Sequence, residues 1–344
     1  MKLGVAHALV DGALVAGDVE IDDGRVVAVG AGGKGRGIAA AGFVDVHIHG
    51  FAGVDFATAD ADGYRRAREA LLATGVTAFR PSFITAPEDE LVAALHEVPA
   101  GLGAHLEGPF ISPDRLGMHP GAARRDPDVE LLERLLAAGP VAHVTLAPEL
   151  PGALELVDRL VARGVTVACG HTNATAEQAH AAFDRGARHV THLFNAMRPF
   201  RHRDPGIAGA ALARDDVTVE LILDGNHVAD DAARVALRAA RGRVVLVTDA
   251  LAAAGVGDGE WQMGSVDVTV RDGVARLGGG TLAGSVLTMP EAVRNVIALG
   301  TSVEDALVAA SRRWLAPGAV ADVVVLDDAL EPTATYLAGV RSGL

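Results

Sequence analysis

The sequence holds a single cysteine, Cys169. No disulfide can form within the chain, and a thiolate metal site is excluded. Aromatic residues reach only 4%, with two tryptophans and two tyrosines. No apolar run is long enough to span a bilayer. The opening "MKLGVAHALVDG" is broken by Asp11 and Gly12 and lacks the layout of a signal peptide. Basic residues are outnumbered, 30 against 44 acidic ones, for a formal net charge of −14. That balance excludes general binding to nucleic acid or anionic membranes, although a local basic cluster could hold a small anion. These absences predict a soluble cytoplasmic protein.

What is present is a large apolar fraction, 50% of 344 residues, enough for one big domain or a big and a small one. The first forty residues read as short strands; "GDVEIDDGRVVAVG" (17–30) is a hairpin turning at Asp23-Gly24. From residue 43 short apolar strands alternate with Ala-rich helical stretches. Strands are expected at 43–49, 76–79, 101–107, 141–147, 165–170, 189–192, 217–223 and 244–249. Helices are expected at 60–74, 87–97, 127–138, 152–163, 174–185 and 230–241. Eight such units predict an α/β fold, a (β/α)8 TIM-like barrel. Hairpins return at 266–279, helices follow at about 286–299 and 303–313, and the tail is strand-like again. The expected division is therefore a small β-sandwich from residues 1–41 and 317–344 with 259–280, beside a barrel of 42–258 and 281–316.

Barrel enzymes carry their sites at the C-terminal strand ends. There the chain places His47 and His49, Glu107, His171, His192, Asp224 with His227, and Asp249. In "GFVDVHIHG", Asp45, His47 and His49 alternate along one face of the strand, with Val44, Val46 and Ile48 on the other. His-x-His can chelate one metal, and an N/O donor set suits zinc, iron, cobalt or manganese. Asp45 reads as a structural partner rather than a ligand. His7, His96, His180 and His189 read as surface or boundary residues, and His105 and His143 as packed core. Trp261 and Trp314 read as core or interface residues. "MRPFRHRDPG" (197–206) is a basic segment in an acidic protein: either a solvated loop or an arginine clamp for an anion.

In order along the chain stand "GFVDVHIHG", "HLEGPF", "GHTNA", "THLFNAM", "DGNH", "VTDA" and "LAGS". Over roughly residues 15–328 the chain resembles the N-acetylglucosamine-6-phosphate deacetylases of the amidohydrolase superfamily. The resemblance implies metal-dependent hydrolysis of an N-acetyl group on a phosphorylated amino sugar. It implies Glu107, His171 and His192 as main metal ligands, His47 and His49 as a second position, and one or two ions per subunit, zinc foremost. Asp249 matches the catalytic acid/base and His119, in "RLGMHPG", a residue that polarises the acetyl carbonyl. Asn195, Ala196, Arg203 and His227 match the substrate-binding residues, with Arg203 reaching across a homodimer interface. Between Ser311 and Pro317 the chain is shorter than the family pattern, and the usual proline before Gly42 is missing.

Two other enzyme readings and one non-enzymatic reading compete. A galactosamine-epimer deacetylase differs at one hydroxyl. Cyclic-amide hydrolases usually bridge two metals with a carbamylated lysine, and here Lys2 and Lys34 both precede the barrel. A non-catalytic sugar-phosphate-binding barrel should have lost ligands or the acid, and this chain keeps them together.

Overall fold

The computed structural model describes residues 1–32 and 35–342; Lys34 and the last two residues lie outside the described residues. Eight parallel strands form the central sheet. They are β1 (Phe43–Ile48), β2 (Val76–Ile84), β3 (Ala104–Glu107), β4 (Val141–Leu146), β5 (Thr166–Cys169), β6 (His189–Val190), β7 (Thr218–Leu221) and β8 (Val244–Leu246). Each neighbours the next in sequence, from β1 through to β8. The ring closes between β8 and β1. Asp249 donates its N–H to the His47 carbonyl at 2.9 Å. Below that, the buried Asp45 carboxylate accepts from Thr248 Oγ1 at 2.5 Å and Thr248 N at 3.3 Å. Asp45 thus does the structural work expected of it.

The helices between strands bury apolar stripes on this sheet. Ala153–Ala162 buries Leu156, Val157 and Leu160, the i, i+1, i+4 spacing of an amphipathic helix. Ala176–Asp184 starts at a capping box, with Thr175 and Gln178 satisfying each other's backbone N–H groups. One helix, Gly206–Leu212, was not expected. Its small residues carry little amphipathic signal, and it begins inside the basic segment.

The β2 strand runs five residues beyond the expected end at Phe79. Pro81 reads as a strand stop, but it sits beside a register shift in the β1–β2 pairing. The extension matters because it carries Ser82 to the site and leads into Thr85.

Both termini meet in a six-stranded sheet. Its order is Ala13–Ala16, His7–Val10, Ile38–Ala41, Val323–Leu326, Pro332–Leu337, Val340–Arg341. The Asp18–Asp22 and Arg25–Ala31 hairpin packs on it through Val19, Ile21 and Val26. Asp23 and Gly24 have φ of 46° and 72°, the mirror-image turn that suits a tight hairpin. After the helix Val303–Ser311 the chain passes directly into this small core through buried Leu315.

Residues 259–280 do not join that sheet. They form a separate three-stranded sheet, Gly259–Met263, Val266–Arg271 and Val274–Arg276. Its Met263, Val268, Val270 and Ala275 pack on Ile84, Leu251 and Ala253 at the barrel mouth. A strand pattern announces an apolar face but not which surface will cover it, so the expected assignment to the terminal sandwich is corrected. Trp314, expected in a core or interface, is 42% exposed.

Candidate active site

Glu107 ends β3 at the centre of the barrel mouth and is buried. Its two oxygens face different histidines. Oε1 lies 3.0 Å from His171 Nε2 and 2.9 Å from His192 Nε2. Oε2 lies 3.5 Å from both His47 Nε2 and His49 Nε2. Asp249 Oδ1 closes the second group, 3.1 Å from His49 Nε2 and 3.6 Å from His47 Nε2. Two sets of donors result at the mouth, Glu107–His171–His192 and His47–His49–Asp249, the donor atoms of each within 4.8 Å of one another; buried His143, His189 and Glu220 make a third such group among the described residues, none of them on the cavity wall.

The proton inventory shows what these groups need. His47 Nδ1 donates to Glu220 Oε2 at 3.0 Å, His49 Nδ1 to the Ser82 carbonyl at 3.0 Å, and His171 Nδ1 to the Arg115 carbonyl at 2.9 Å. In the neutral ring the Nε2 atom is then a bare lone pair. His47 Nε2 and His49 Nε2 stand 3.2 Å apart, and His171 Nε2 and His192 Nε2 3.0 Å apart. Lone pairs and carboxylates pointing at one spot call for a cation. Two imidazolium N–H groups at that separation would oppose each other, whereas one divalent ion per pair satisfies all the donors. The residues therefore fit a divalent metal held by nitrogen and oxygen donors.

The electrostatics agree. Burial pushes the His47 imidazole down, but Glu107, Glu220 and Asp249 outweigh it and raise it well above its usual value. Burial pushes the Glu107 carboxyl up, yet the His47 and His171 rings hold it well below the carboxylate range. The pocket prefers positive charge opposite negative charge at this place.

His119 completes the ring from the loop after β3. Its Nε2 is 3.2 Å from Glu107 Oε2. The Thr85 backbone N–H donates to its Nδ1 at 3.2 Å, and the Thr85 hydroxyl lies 2.9 Å away. An Nδ1 that accepts leaves the proton on Nε2, facing the cavity. Burial, with the neighbouring His171 charge, pushes this imidazole down to about 4. It is a neutral donor at pH 7.

The backbone is bent to present these groups. His171, His192, Ala196 and Asp249 have φ of 45°, 29°, 46° and 50°, a region that side chains other than glycine avoid. Such outliers cluster where a site over-determines its own geometry. Gly284 (φ 60°) shows why "LAGS" carries a glycine: a Cβ there would sit 2.9 Å from the Asp249 carbonyl oxygen.

A cavity of about 240 Å³ opens on this centre. Its walls include His49, Glu107, His119, His171, His192, Asn195, Ala196, His227 and Asp249, with Met118, Thr281, Leu282 and Gly284. His227 donates from Nδ1 to Asp224 Oδ2 at 2.8 Å. Burial pushes His227 down, but that hydrogen bond and the Asp224 charge leave it raised. Arg203 is not brought in: it is exposed and stands off the cavity wall. Within the basic segment Arg198 is paired with Asp204 at 2.8 Å, so it does not act as a free clamp.

Sequence reasoning missed Glu220, Ser82 and Thr85. It read His189 as a surface or boundary residue, whereas His189 is buried and donates to Glu220 Oε1 at 2.9 Å. A carboxylate at a strand centre was the available signal for Glu220, since an unpaired buried acid is costly. Met118, Thr281 and Leu282 carried no chemical signal.

Fold and site together define a barrel hydrolase with a metal-binding mouth. A model of the amidohydrolase family matches residues 38–312, and the chain belongs to that family. It is 42% identical over 341 residues to the N-acetylglucosamine-6-phosphate deacetylase of Mus musculus, covering 89% of this chain and 83% of the relative. It is 36% identical over 327 residues to an N-acetylgalactosamine-6-phosphate deacetylase of Escherichia coli O157:H7, covering 86% and 85%. A mutant N-acetyl-D-glucosamine-6-phosphate deacetylase of Mycobacterium smegmatis, solved in complex with N-acetyl-D-glucosamine-6-phosphate, superposes with a TM-score of 0.95 at 41% identity, over 100% of this chain and 99% of that one.

Proposed function

We propose that the chain hydrolyses the N-acetyl group of N-acetylglucosamine 6-phosphate to glucosamine 6-phosphate and acetate. The observation that carries this reading is Glu107 standing between two histidine pairs, with Asp249 and a neutral His119 facing the same cavity. The relatives' names supply the substrate.

His171, His192 and Glu107 would hold one ion, and His47 and His49, with Asp249 beside them, a second; zinc is the first candidate. When bound, a divalent ion supplies Lewis acidity, polarising a carbonyl oxygen and making water acidic. Asp249 accepts the proton of the attacking water and returns it to the departing amine, which is otherwise a poor leaving group. His119 donates its Nε2–H to the carbonyl oxygen as negative charge grows there. His227 and Asn195, with the backbone at Ala196, hold the sugar phosphate, and that remote binding places the amide for attack.

Arg203 would reach the phosphate of a neighbouring subunit in a homodimer. Its exposure and its absence from the lining of the chain's own cavity support that arrangement. A phosphorylated sugar pays heavily to enter hydrocarbon, which favours a cytoplasmic location. The galactosamine epimer is the second reading, favoured by the Escherichia coli relative.

Initial rates of acetate release from N-acetylglucosamine 6-phosphate, from its galactosamine epimer and from the unphosphorylated sugar, with metal-stripped and reloaded protein, test this. Metal-dependent release from the phosphorylated sugar is expected. Release from the galactosamine epimer alone would overturn the substrate assignment.

A further inference from the structure

Glu220 lies in β7 and is completely buried. No part of the reaction described above uses it. Its Oε2 accepts two hydrogen bonds: from His47 Nδ1 at 3.0 Å and from the His192 backbone N–H at 3.0 Å. Its Oε1 accepts from His189 Nε2 at 2.9 Å. Its backbone carbonyl accepts from Leu193 N at 2.9 Å. One residue therefore touches one histidine from each of the two donor sets at the mouth.

The two contacts act differently. On His47 the carboxylate fixes the tautomer, keeping the proton on Nδ1 and the lone pair on Nε2. On His192 it fixes the backbone. His192 has φ of 29°, and its Nδ1 has no hydrogen-bond partner among the described residues. Unlike His47, His49 and His171, His192 has no partner on the ring nitrogen that faces away from Glu107. Its direction is set by the main chain, and two consecutive N–H groups, of His192 and Leu193, are tied to Glu220.

The geometry points to Glu220 as a positioning residue that presets both metal positions at once, by a tautomer on one side and a strained backbone on the other. This rests on the reading of His47 and His192 as ligands. The Asp and Gln variants separate charge from hydrogen bonding: in Glu220→Gln the amide oxygen can take the place of Oε2 and keep both donors. His189 then turns its Nε2 lone pair to the amide, since its Nδ1 already faces Thr218 Oγ1 at 2.5 Å. In Glu220→Asp the charge stays but the oxygen is withdrawn by one methylene from both donors.

The experiment is zinc affinity, by competition with a chromophoric chelator, in wild type, Glu220→Gln and Glu220→Asp, with kcat and KM alongside. Outer partners of metal ligands typically change affinity by about 10–100-fold. Glu220→Asp should fall in that range for both zinc ions, with KM unchanged and kcat restored by excess zinc. Glu220→Gln should stay within about threefold of wild type. Wild-type affinity in Glu220→Asp, or equal losses in both variants, would overturn the proposal. A 100-fold loss in Glu220→Gln would assign the effect to charge and overturn the proposal; if Glu220→Asp does not fold, Glu220→Ala takes its place, and wild-type zinc affinity there overturns it as well. A wild-type protein that binds zinc but releases no acetate would refute the substrate reading and leave the zinc comparison standing.

Discussion

The backbone N–H of Thr85 points at Nδ1 of His119 from 3.2 Å. A main-chain donor cannot be mutated away and cannot change its proton. It therefore selects the Nε2–H form of His119, the form able to donate to a carbonyl oxygen. Thr85 lies just past the end of β2, beyond Phe79, where the sequence pattern ends the strand.

Replacing His119 by Ala should remove that donor. Loss of one oxyanion donor typically costs 10²–10³-fold in kcat, or about 3–4 kcal/mol. KM should change little. A kcat within threefold of wild type would exclude the role.

Asp249→Asn should keep metal and substrate binding while kcat falls by roughly 10³-fold, because the amide cannot accept the proton. Steady-state rates with metal content measured on the same sample check this. Substantial turnover with full metal would move the acid/base role elsewhere.

Gly284→Ala introduces a Cβ 2.9 Å from the Asp249 carbonyl oxygen at a φ of 60°. The strain should cost on the order of 1–3 kcal/mol and displace Asp249. Lower kcat together with a lower melting temperature is expected; a silent substitution would show that the loop gives way.

Arg203→Ala should raise KM for the phosphorylated sugar by about tenfold or more with kcat nearly unchanged, the signature of lost uniform binding. The unphosphorylated sugar should show no change. Sedimentation of the variant tells whether the dimer persists, so a phosphate effect can be separated from dissociation.

His105 and His143 lie in the barrel interior with rings stacked at 4.2 Å. Burial, then the neighbouring His143 charge, pushes His105 well down; burial, then the His189 charge, does the same for His143. Above the unfolded value of about 6.5 both states are neutral and nothing is lost. Below it the unfolded chain takes up protons that the folded chain refuses, so stability falls as pH drops. The two sites together allow a slope of up to about 2.7 kcal/mol per pH unit. Both His143 ring nitrogens lack partners among the described residues. His143→Leu should therefore raise stability by roughly 1 kcal/mol and halve that slope in denaturant titrations. An unchanged slope would remove His143 from the acid response.

Local sequence determined the repeating strand–helix pattern, the hairpins at Asp23-Gly24 and Asp272-Gly273, and the residue types at the strand ends. Period and turn chemistry are short-range properties, and a histidine or acid closing an apolar strand is visible without coordinates. Tertiary structure alone decided which of those groups share an atom. Glu107 faces four candidate ligand histidines because β1, β3, β5 and β6 converge on one mouth. It also decided that the 259–280 hairpins cover that mouth instead of joining the terminal sheet, since an apolar face does not name its partner. And it decided the supporting contacts of Glu220, Ser82 and Thr85, which come from strands far apart in the chain and act through hydrogen bonds whose partners no local pattern specifies.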